Sequence, residues 1–564
     1  MSSAAARSPA ATVESAPLRP PRALIWIVGI AILLTYFGPI GSMTLQEPDE
    51  VRYAEIPREM LESGDWVTPR LNYVKYFEKP PLLYWLTAIN FRCFGISEFV
   101  ARLWPVWFAI AGIVMISVVG RAMFGGWVGA AAAAILAATP YYFGLGQFLT
   151  LDMPLSALLT LALGSFWFAY TSTAARHREA WVLACYAATA LAVLTKGPVA
   201  VVLTGGIIIL FLLLQWNLGA LRWLLSPLAI LLFLAIALPW FVLVTLRNPE
   251  FLRFFVVDQH FTRYLNPNEH KETFLFFVPI ICGGMLPWTA FWFCAPDLMK
   301  RFGQQLWRRR LSAATLYCLV WSGTVFLFFS SSGSKLGTYV LPMVGPLAIL
   351  AGGFFERLIA DGRADVLRRG CIATVILGVG IIVGGAVTAR LLHDWPADII
   401  VPLLYIGGGM LALNALAALA CVRRGMLQAS FVVLLLGVLA VQAVAISGRR
   451  AGVTYRPLGL AIAAEARADD QIVSYRHYVQ AIPFYAHRRV VHVRGHGELE
   501  FGRQQGDQRA YFWDSDEPLV NAWASPRRMF LVINRSDLEP LRPRLQPAPR
   551  EIAAADRKVV VVNF

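Results

Sequence analysis

Asp49, Glu50, Arg52, Glu55, Glu78 and Lys79 crowd one polar stretch, QEPDEVRYAEIPREMLESGDWVTPRLNYVKYFEKPPLLYW, over residues 46–85. A connector between two helices needs only a few residues. This one carries both signs of charge beside four tyrosines, Tyr53 among them, and separates two hydrophobic blocks of membrane-spanning length. It reads as a site, with an ordinary solvated linker as the alternative. Carboxylates at a membrane boundary are costly unless paired or used. That singles out Asp49, Glu50 and also Asp152, which sits in LTLDMPL at the edge of two apolar helices. Asp152 reads equally as the cap of the helix starting at Met153-Pro154, and the two roles are compatible.

Lys79 precedes Pro80-Pro81, which force an extended or helix-starting backbone, so it is displayed beside Glu78 rather than buried in a regular helix. Lys196 in TKGP and Lys335 in SKLGTY repeat the arrangement, a lone cation at a span end next to Gly or Pro. Such cations fit phosphate binding, and Arg263 could add a forked contact. Taken singly, each reads as a side chain snorkelling to the interface; several on one face shift the balance toward a phosphate. His260 in DQHFTRY, together with Glu78, could ligate a divalent metal, although two ligands without a spacing motif also describe a surface histidine. The sequence has no defensible Ser/His/Asp arrangement, Walker motif or GxGxxG, which argues against ATP-driven pumping.

The elements that must position these groups are membrane helices. The chain of 564 residues is 57% hydrophobic and only 15% charged, and its mean hydropathy of +0.57 is that of an integral membrane protein. The net charge of +15 is explained by arginines between apolar blocks, acting as topology signals and anionic-lipid contacts, and there is no basic-aromatic domain of nucleic-acid type. Seven cysteines show no CxxC pair or zinc spacing and read as small core residues. Residues 1–22 form an Ala/Ser/Pro-rich tail, expected to be disordered and cytoplasmic. The block at 24–43 is long enough to span and too long for a cleaved signal core.

Spanning-length blocks recur near 24–43, 100–120, 127–148, 153–171, 180–195, 197–216, 223–246, 274–294, 312–330, 338–356, 371–389, 399–421 and 426–446. That predicts about thirteen transmembrane helices over a membrane domain at 23–446, with twelve or fourteen left open. Lys/Arg placement puts the N-terminus in the cytoplasm. Asp49, Asp152, Lys196, the 247–273 loop and Lys335 with Tyr339 then share the outer face, as a single site requires. Within the first outer loop, 46–98, Pro57 and Gly64 predict two short helices, with Tyr53, Ile56, Met60 and Leu61 on a greasy face lying along the membrane surface. After Ile446 the segments QIVSYR, VVHVRG, AYFWD, MFLVIN and VVVVNF read as strands alternating with helical pieces, predicting an α/β domain over 447–564 with a partly parallel sheet.

PDEVRYAEIPREMLESGDWVTPRLN followed by YFEKPPLLYWL resembles the opening outer loop of the 4-amino-4-deoxy-L-arabinose lipid A transferases (ArnT), members of the GT-C class of polyprenyl-phosphate-dependent glycosyltransferases related to protein O-mannosyltransferases. LDMPL, LTKGP and SSSGSKLGTYVLPMVGPLA resemble later motifs of that family. The resemblance implies a GT-C-like helical bundle with a C-terminal periplasmic α/β domain. It implies transfer of 4-amino-4-deoxy-L-arabinose from undecaprenyl phosphate to a lipid A phosphate at the periplasmic face of the bacterial inner membrane, which would raise resistance to polymyxin and other cationic peptides.

By the same resemblance Asp49 matches the first-loop acid, Asp152 the second, and Lys79 the carrier-phosphate contact, with Lys196 and Tyr339 lining the site. Glu50 joins the candidate catalytic acids, and Arg52, Tyr53, Arg263 and Lys335 the candidate substrate contacts. The expected partners are the undecaprenyl-linked donor, the lipid A acceptor and bilayer lipids, with no nucleic acid, and the protein is expected to be a monomer. No cofactor is called for beyond the candidate divalent metal. A protein Ser/Thr or another glycan remains open as acceptor. A lipid or solute transporter is the reading from another class, and the sequence shows no inverted repeat in its support.

Overall fold

The computed structural model describes residues 21–262, 272–391, 397–447 and 454–564. The tail at 1–20 lies outside the described residues.

Each of the thirteen apolar blocks coincides with helix, yet among the described residues not each is by itself long and apolar enough to count as a span. Among the described residues nine helices are long and apolar enough to cross a membrane. A tenth candidate is the pair Gly126–Ala137 and Pro140–Gly146, bent by 64° where Pro140 opens a new helix. Arg22–Phe37 and Val199–Leu214 have 16 residues each, about 24 Å of helix against a hydrocarbon core of roughly 30 Å. The 274–294 block divides into Phe277–Gly284 and Trp288–Phe293 around Pro287, which lacks the N–H needed to continue the ladder. The count of thirteen complete spans is therefore not reached on length and apolarity, although the helical bundle is. The chain is a multi-pass membrane protein.

Small residues let the helices approach. A Cβ on Gly129 would lie 2.5 Å from the Ser117 carbonyl oxygen, and Cβ atoms on Gly378 and Gly408 would each lie 2.6 Å from the other's carbonyl oxygen. Backbone thus touches backbone where Gly126–Ala137 packs on Leu103–Phe124, and again where Ala364–Leu391 packs on Ala397–Arg423.

The first loop differs from its sequence reading. One helix, Asp49–Ser63, replaces the expected two and runs through Pro57 to Gly64, whose φ of 68° and N–H bond to the Met60 carbonyl end it. Pro57 removes one ladder bond, but the turns on both sides are fixed from outside the helix. Glu50 is clamped by Arg102, and Arg58 forks onto Glu55 at 2.6 and 2.7 Å. Nor is its greasy face left open. Tyr53, Ile56 and Met60 join a buried cluster with Leu458, Ile482 and Phe530 of the C-terminal domain, so both faces are covered. A hairpin, β1 (Arg70–Leu71) and β2 (Val74–Lys75), follows. At its turn Asn72 exchanges two hydrogen bonds with the Val490 backbone, at 2.8 and 2.9 Å.

The C-terminal domain is a six-stranded sheet of β3 (Gln471–Tyr475), β4 (Val491–Val493), β5 (Phe512–Trp513), β6 (Met529–Asn534), β7 (Arg550–Ala555) and β8 (Lys558–Val562) in the order β5-β4-β3-β6-β8-β7. The first four strands in that order pair in parallel, and β8 alone runs the other way, pairing antiparallel with both β6 and β7. Strand β7 is the one the sequence reading lacked.

Candidate active site

Three chain segments bring Asp152, Lys196 and Tyr339 together. Asp152 is the first residue of helix Asp152–Thr171. Lys196 is the last residue of Ala175–Lys196, which stops because Gly197 adopts φ 87°. Tyr339 lies in the turn between Ala313–Ser331 and the 3-10 turn Leu341–Met343. Lys196 Nζ donates to Asp152 Oδ1, and lies 4.6 Å from the centre of the Tyr339 ring. The two charged side chains are 17% and 14% exposed, so their pairing is partly shielded yet open to a ligand.

The first-loop helix supplies the next group. Arg52 Nη1 donates to Asp49 Oδ1 at 2.8 Å, and Arg52 Nε lies 2.5 Å from Glu498 Oε2 of the C-terminal domain. Asp49 is 59% exposed and Glu498 only 16%, which aims the arginine from a buried carboxylate toward an open one. Burial pushes the Glu498 carboxyl above its ordinary value, with Arg52 opposing and Glu78 adding to the shift. Tyr53 stacks on Tyr84 at 6.0 Å. Burial raises the Tyr53 phenol, and the charges of Arg52, Asp49, Glu78 and Asp152 all act on it. The loop carboxylates and the span-end carboxylate therefore share one neighbourhood around this ring. Tyr76 and Tyr84 complete it: their hydroxyls are buried, have no hydrogen-bond partner among the described residues, and feel Glu78, Arg52 and Glu498. Such polar atoms call for a polar ligand or ordered water.

The remaining candidates separate. Glu78 and Lys79 are half-buried on the turn before helix Leu82–Phe94, Glu78 within this cluster and Lys79 engaged with a partner. Glu50 points the other way. It is 1% exposed, accepts two bonds from Arg102 at 2.8 Å, and takes the backbone N–H groups of Leu149 and Gln46 at 2.9 and 3.0 Å. That geometry fixes the loop to the bundle. Lys335 is 6% exposed and donates to the backbone carbonyls of Ser332 and Glu272 at 2.6 and 3.0 Å, which organises its own turn. The backbone of His260 lies in the π-helix Arg253–Thr262, while its side chain and the whole of Arg263 are outside the described residues. Among the described residues no group of three or more His, Cys, Asp or Glu could hold a metal ion.

Sequence reasoning missed Glu498, Tyr76 and Tyr84. YFEKPP carried a signal for Tyr76, adjacent to residues already singled out. Glu498 had none, because only the folded C-terminal domain brings it to Arg52.

The chain can be set beside known proteins on this geometry. Residues 24–255 match the family model described as dolichyl-phosphate-mannose-protein mannosyltransferase, and residues 458–563 the aminoarabinose transferase C-terminal domain. The undecaprenyl phosphate-alpha-4-amino-4-deoxy-L-arabinose arabinosyl transferase of Edwardsiella ictaluri is 31% identical over 65% of each chain, so the match spans just under two thirds of that relative. The protein of the same name from Serratia proteamaculans is 30% identical over 68% of this chain and 70% of its own. The crystal structure of ArnT from Cupriavidus metallidurans bound to undecaprenyl phosphate superposes with a TM-score of 0.86 at 29% identity, covering 97% of this chain and 99% of that one. On these matches the chain belongs to the undecaprenyl phosphate-4-amino-4-deoxy-L-arabinose arabinosyl transferases, a glycosyltransferase family of GT-C-like fold.

Proposed function

We propose that this chain transfers 4-amino-4-deoxy-L-arabinose from undecaprenyl phosphate to a lipid A phosphate at the periplasmic face of the inner membrane, as a monomer, masking negative charge against cationic peptides. The observation that carries the reading is the meeting of Asp152, Lys196 and Tyr339 beside the Arg52-Asp49 pair, in a chain whose relatives bear the transferase name. The leaving group is a lipid phosphate, already a stable anion. Lys196 and Lys79 stabilise the charge it gains as the glycosidic bond breaks, in a site where water is partly excluded. The acceptor phosphate is ionised at neutral pH, so it needs positioning rather than deprotonation. Asp49, half-exposed and oriented by Arg52, faces the substrate and pairs with the sugar ammonium. Tyr53, Tyr76 and Tyr84 offer hydroxyls to the sugar. Attack at the anomeric carbon opposite the departing phosphate inverts its configuration.

A second acceptor class is favoured by one observation, the match of residues 24–255 to protein mannosyltransferases. With a Ser/Thr hydroxyl as acceptor, Asp49 or Asp152 would have to take its proton. Mass spectrometry of lipid A from cells lacking their own transferase decides between them. An aminopentose added on phosphate with the wild-type chain, and lost with Asp49→Asn, supports the first reading. Unmodified lipid A in the presence of the carrier-linked sugar refutes it.

A further inference from the structure

We propose that the cleft between the C-terminal end of the first-loop helix and the β3-β4-β5 side of the sheet binds a phosphorylated sugar. The cleft encloses about 450 Å³, with Glu62 and Tyr73 on the loop side and Asp470, Arg489 and Tyr511 on the sheet side. Glu62 is nearly four turns along the helix from Asp49, so the cleft lies on the order of 20 Å from the acidic end of the candidate active site.

Three guanidinium groups line the cleft, those of Arg488, Arg489 and Arg527, and none of them makes an ion pair with a carboxylate among the described residues. Arg488 spends its donors on backbone carbonyls of residues 467, 468 and 470, and Arg527 Nε donates to the Asp469 carbonyl at 2.7 Å. Their positions are fixed, but their charge is not neutralised. Arg489 is held flat, its Cζ 3.5 Å over the Tyr511 ring and 5.9 Å from the Tyr73 ring centre. Its Nη2 donates to Gln508 Oε1 at 2.7 Å, and its Nε is buried without a partner. A planar, pre-oriented fork flanked by two further guanidinium groups suits a phosphate, with the buried Glu59 acting on Arg489 only as a charge and not as an ion pair.

The two acids on the wall are each paired with an arginine that does not line the cleft. Glu62 accepts from Arg58 at 2.6 Å and from the Tyr73 hydroxyl at 2.5 Å, and Asp470 lies 3.9 Å from Arg528 Nη1 and accepts the Arg467 N–H at 2.8 Å. Their remaining lone pairs suit donors such as sugar hydroxyls. A cleft of this volume far exceeds a bare phosphate and falls in the range of small-ligand sites. Cations for an anion and acceptors for hydroxyls, side by side, select a phosphorylated sugar, whether a lipid headgroup or a soluble molecule.

The test uses the full chain in phosphatidylcholine nanodiscs, titrated calorimetrically with glucosamine 1-phosphate, glucosamine and inorganic phosphate. The phosphosugar should bind more tightly than either fragment. Arg489→Gln, with wild-type thermal melting, should weaken it about tenfold, Arg489→Lys should fall between, and Lys196→Met should leave binding unchanged. No binding, equal binding of inorganic phosphate, or binding lost in Lys196→Met but kept in Arg489→Gln would overturn the assignment. Repeating the titration in nanodiscs containing lipid A identifies the source. Competition means the site takes a membrane headgroup, and its absence means a soluble sugar phosphate; either keeps the cleft as a phosphosugar site.

Discussion

Replacing Glu50 by Gln tests whether this residue holds the loop or performs chemistry. Glu50 and Arg102 are each about 1% exposed at the side chain and meet through two bonds of 2.8 Å. Arg102 also donates to the carbonyls of Ile40, Met43 and Thr44 at 3.0, 2.7 and 2.8 Å. Glu50 Oε1 accepts from Leu149 N–H and Arg102 Nε, and Oε2 from Gln46 N–H and Arg102 Nη2. An amide therefore turns its NH2 toward one backbone N–H and one guanidinium donor, and leaves the Arg102 charge uncompensated. Breaking a buried pair from one side costs about 3–5 kcal/mol, against a stability of roughly 5–15 kcal/mol for a folded domain. Glu50→Gln should therefore fold and melt on the order of 10 °C lower. Arg102→Gln, which strands a buried carboxylate and weakens three carbonyl contacts, should be worse. The double variant should be less destabilised than the sum by about 2 kcal/mol. Intrinsic tryptophan melting in detergent measures all three, alongside transfer activity per folded molecule. Unchanged melting in Glu50→Gln together with abolished transfer would refute the anchoring role and return Glu50 to the reacting groups.

Under the proposed function Lys196→Met takes a cation away from the leaving phosphate and should lower kcat by about 10²–10³ without loss of folded protein; single-turnover transfer from a labelled donor measures it. Glu498→Gln should raise KM for the donor more than it lowers kcat, since it leaves Arg52 without its buried partner, and a fall in kcat alone would argue against that positioning role. Burial pushes the Glu47 carboxyl, which accepts the Ala481 N–H at 2.7 Å, from 4.5 up to about 8. The folded chain then holds a proton that the unfolded chain releases, so stability falls as pH rises from 4.5 and the penalty is complete above about 8. Glu47→Gln should flatten the melting profile across that window. Gly378→Val should destabilise by at least about 1–3 kcal/mol, because its Cβ would meet the Gly408 carbonyl oxygen at 2.6 Å; a chemical-denaturation series measures it.

Apolar blocks, their loops and the strand-rich end were legible because each leaves a local signature of composition or period. What failed to show locally failed for physical reasons. Pro57 looks like the start of a helix from its neighbours alone, and only ties to Arg102 and the covering sheet carry one helix through it. Asp49 and Glu50 are adjacent acids about 100° apart on a helix, so one faces out and one in. Which does which depends on Arg102, a residue on another element. Lys335 shares its motif-like setting with Lys196, yet ends on backbone carbonyls while Lys196 meets Asp152. Strand β7, REIAAA, has little β propensity of its own and exists through pairing with β8.

The clasp between Asn72 and Val490 joins positions 418 residues apart, and its effect reaches back to the time of synthesis. At roughly 5–20 residues per second the ribosome makes the loop on the order of 20–80 s before its cover exists. Through that interval a helix carrying the apolar Ile56 and Met60 and the buried Glu55 and Glu59 stands without the surface that later hides it. Such distant closure is slow to form, and Glu498 arrives with it. Until residues near 498 emerge, the loop helix is anchored through Glu50 and Arg102 yet lacks the carboxylate that holds Arg52.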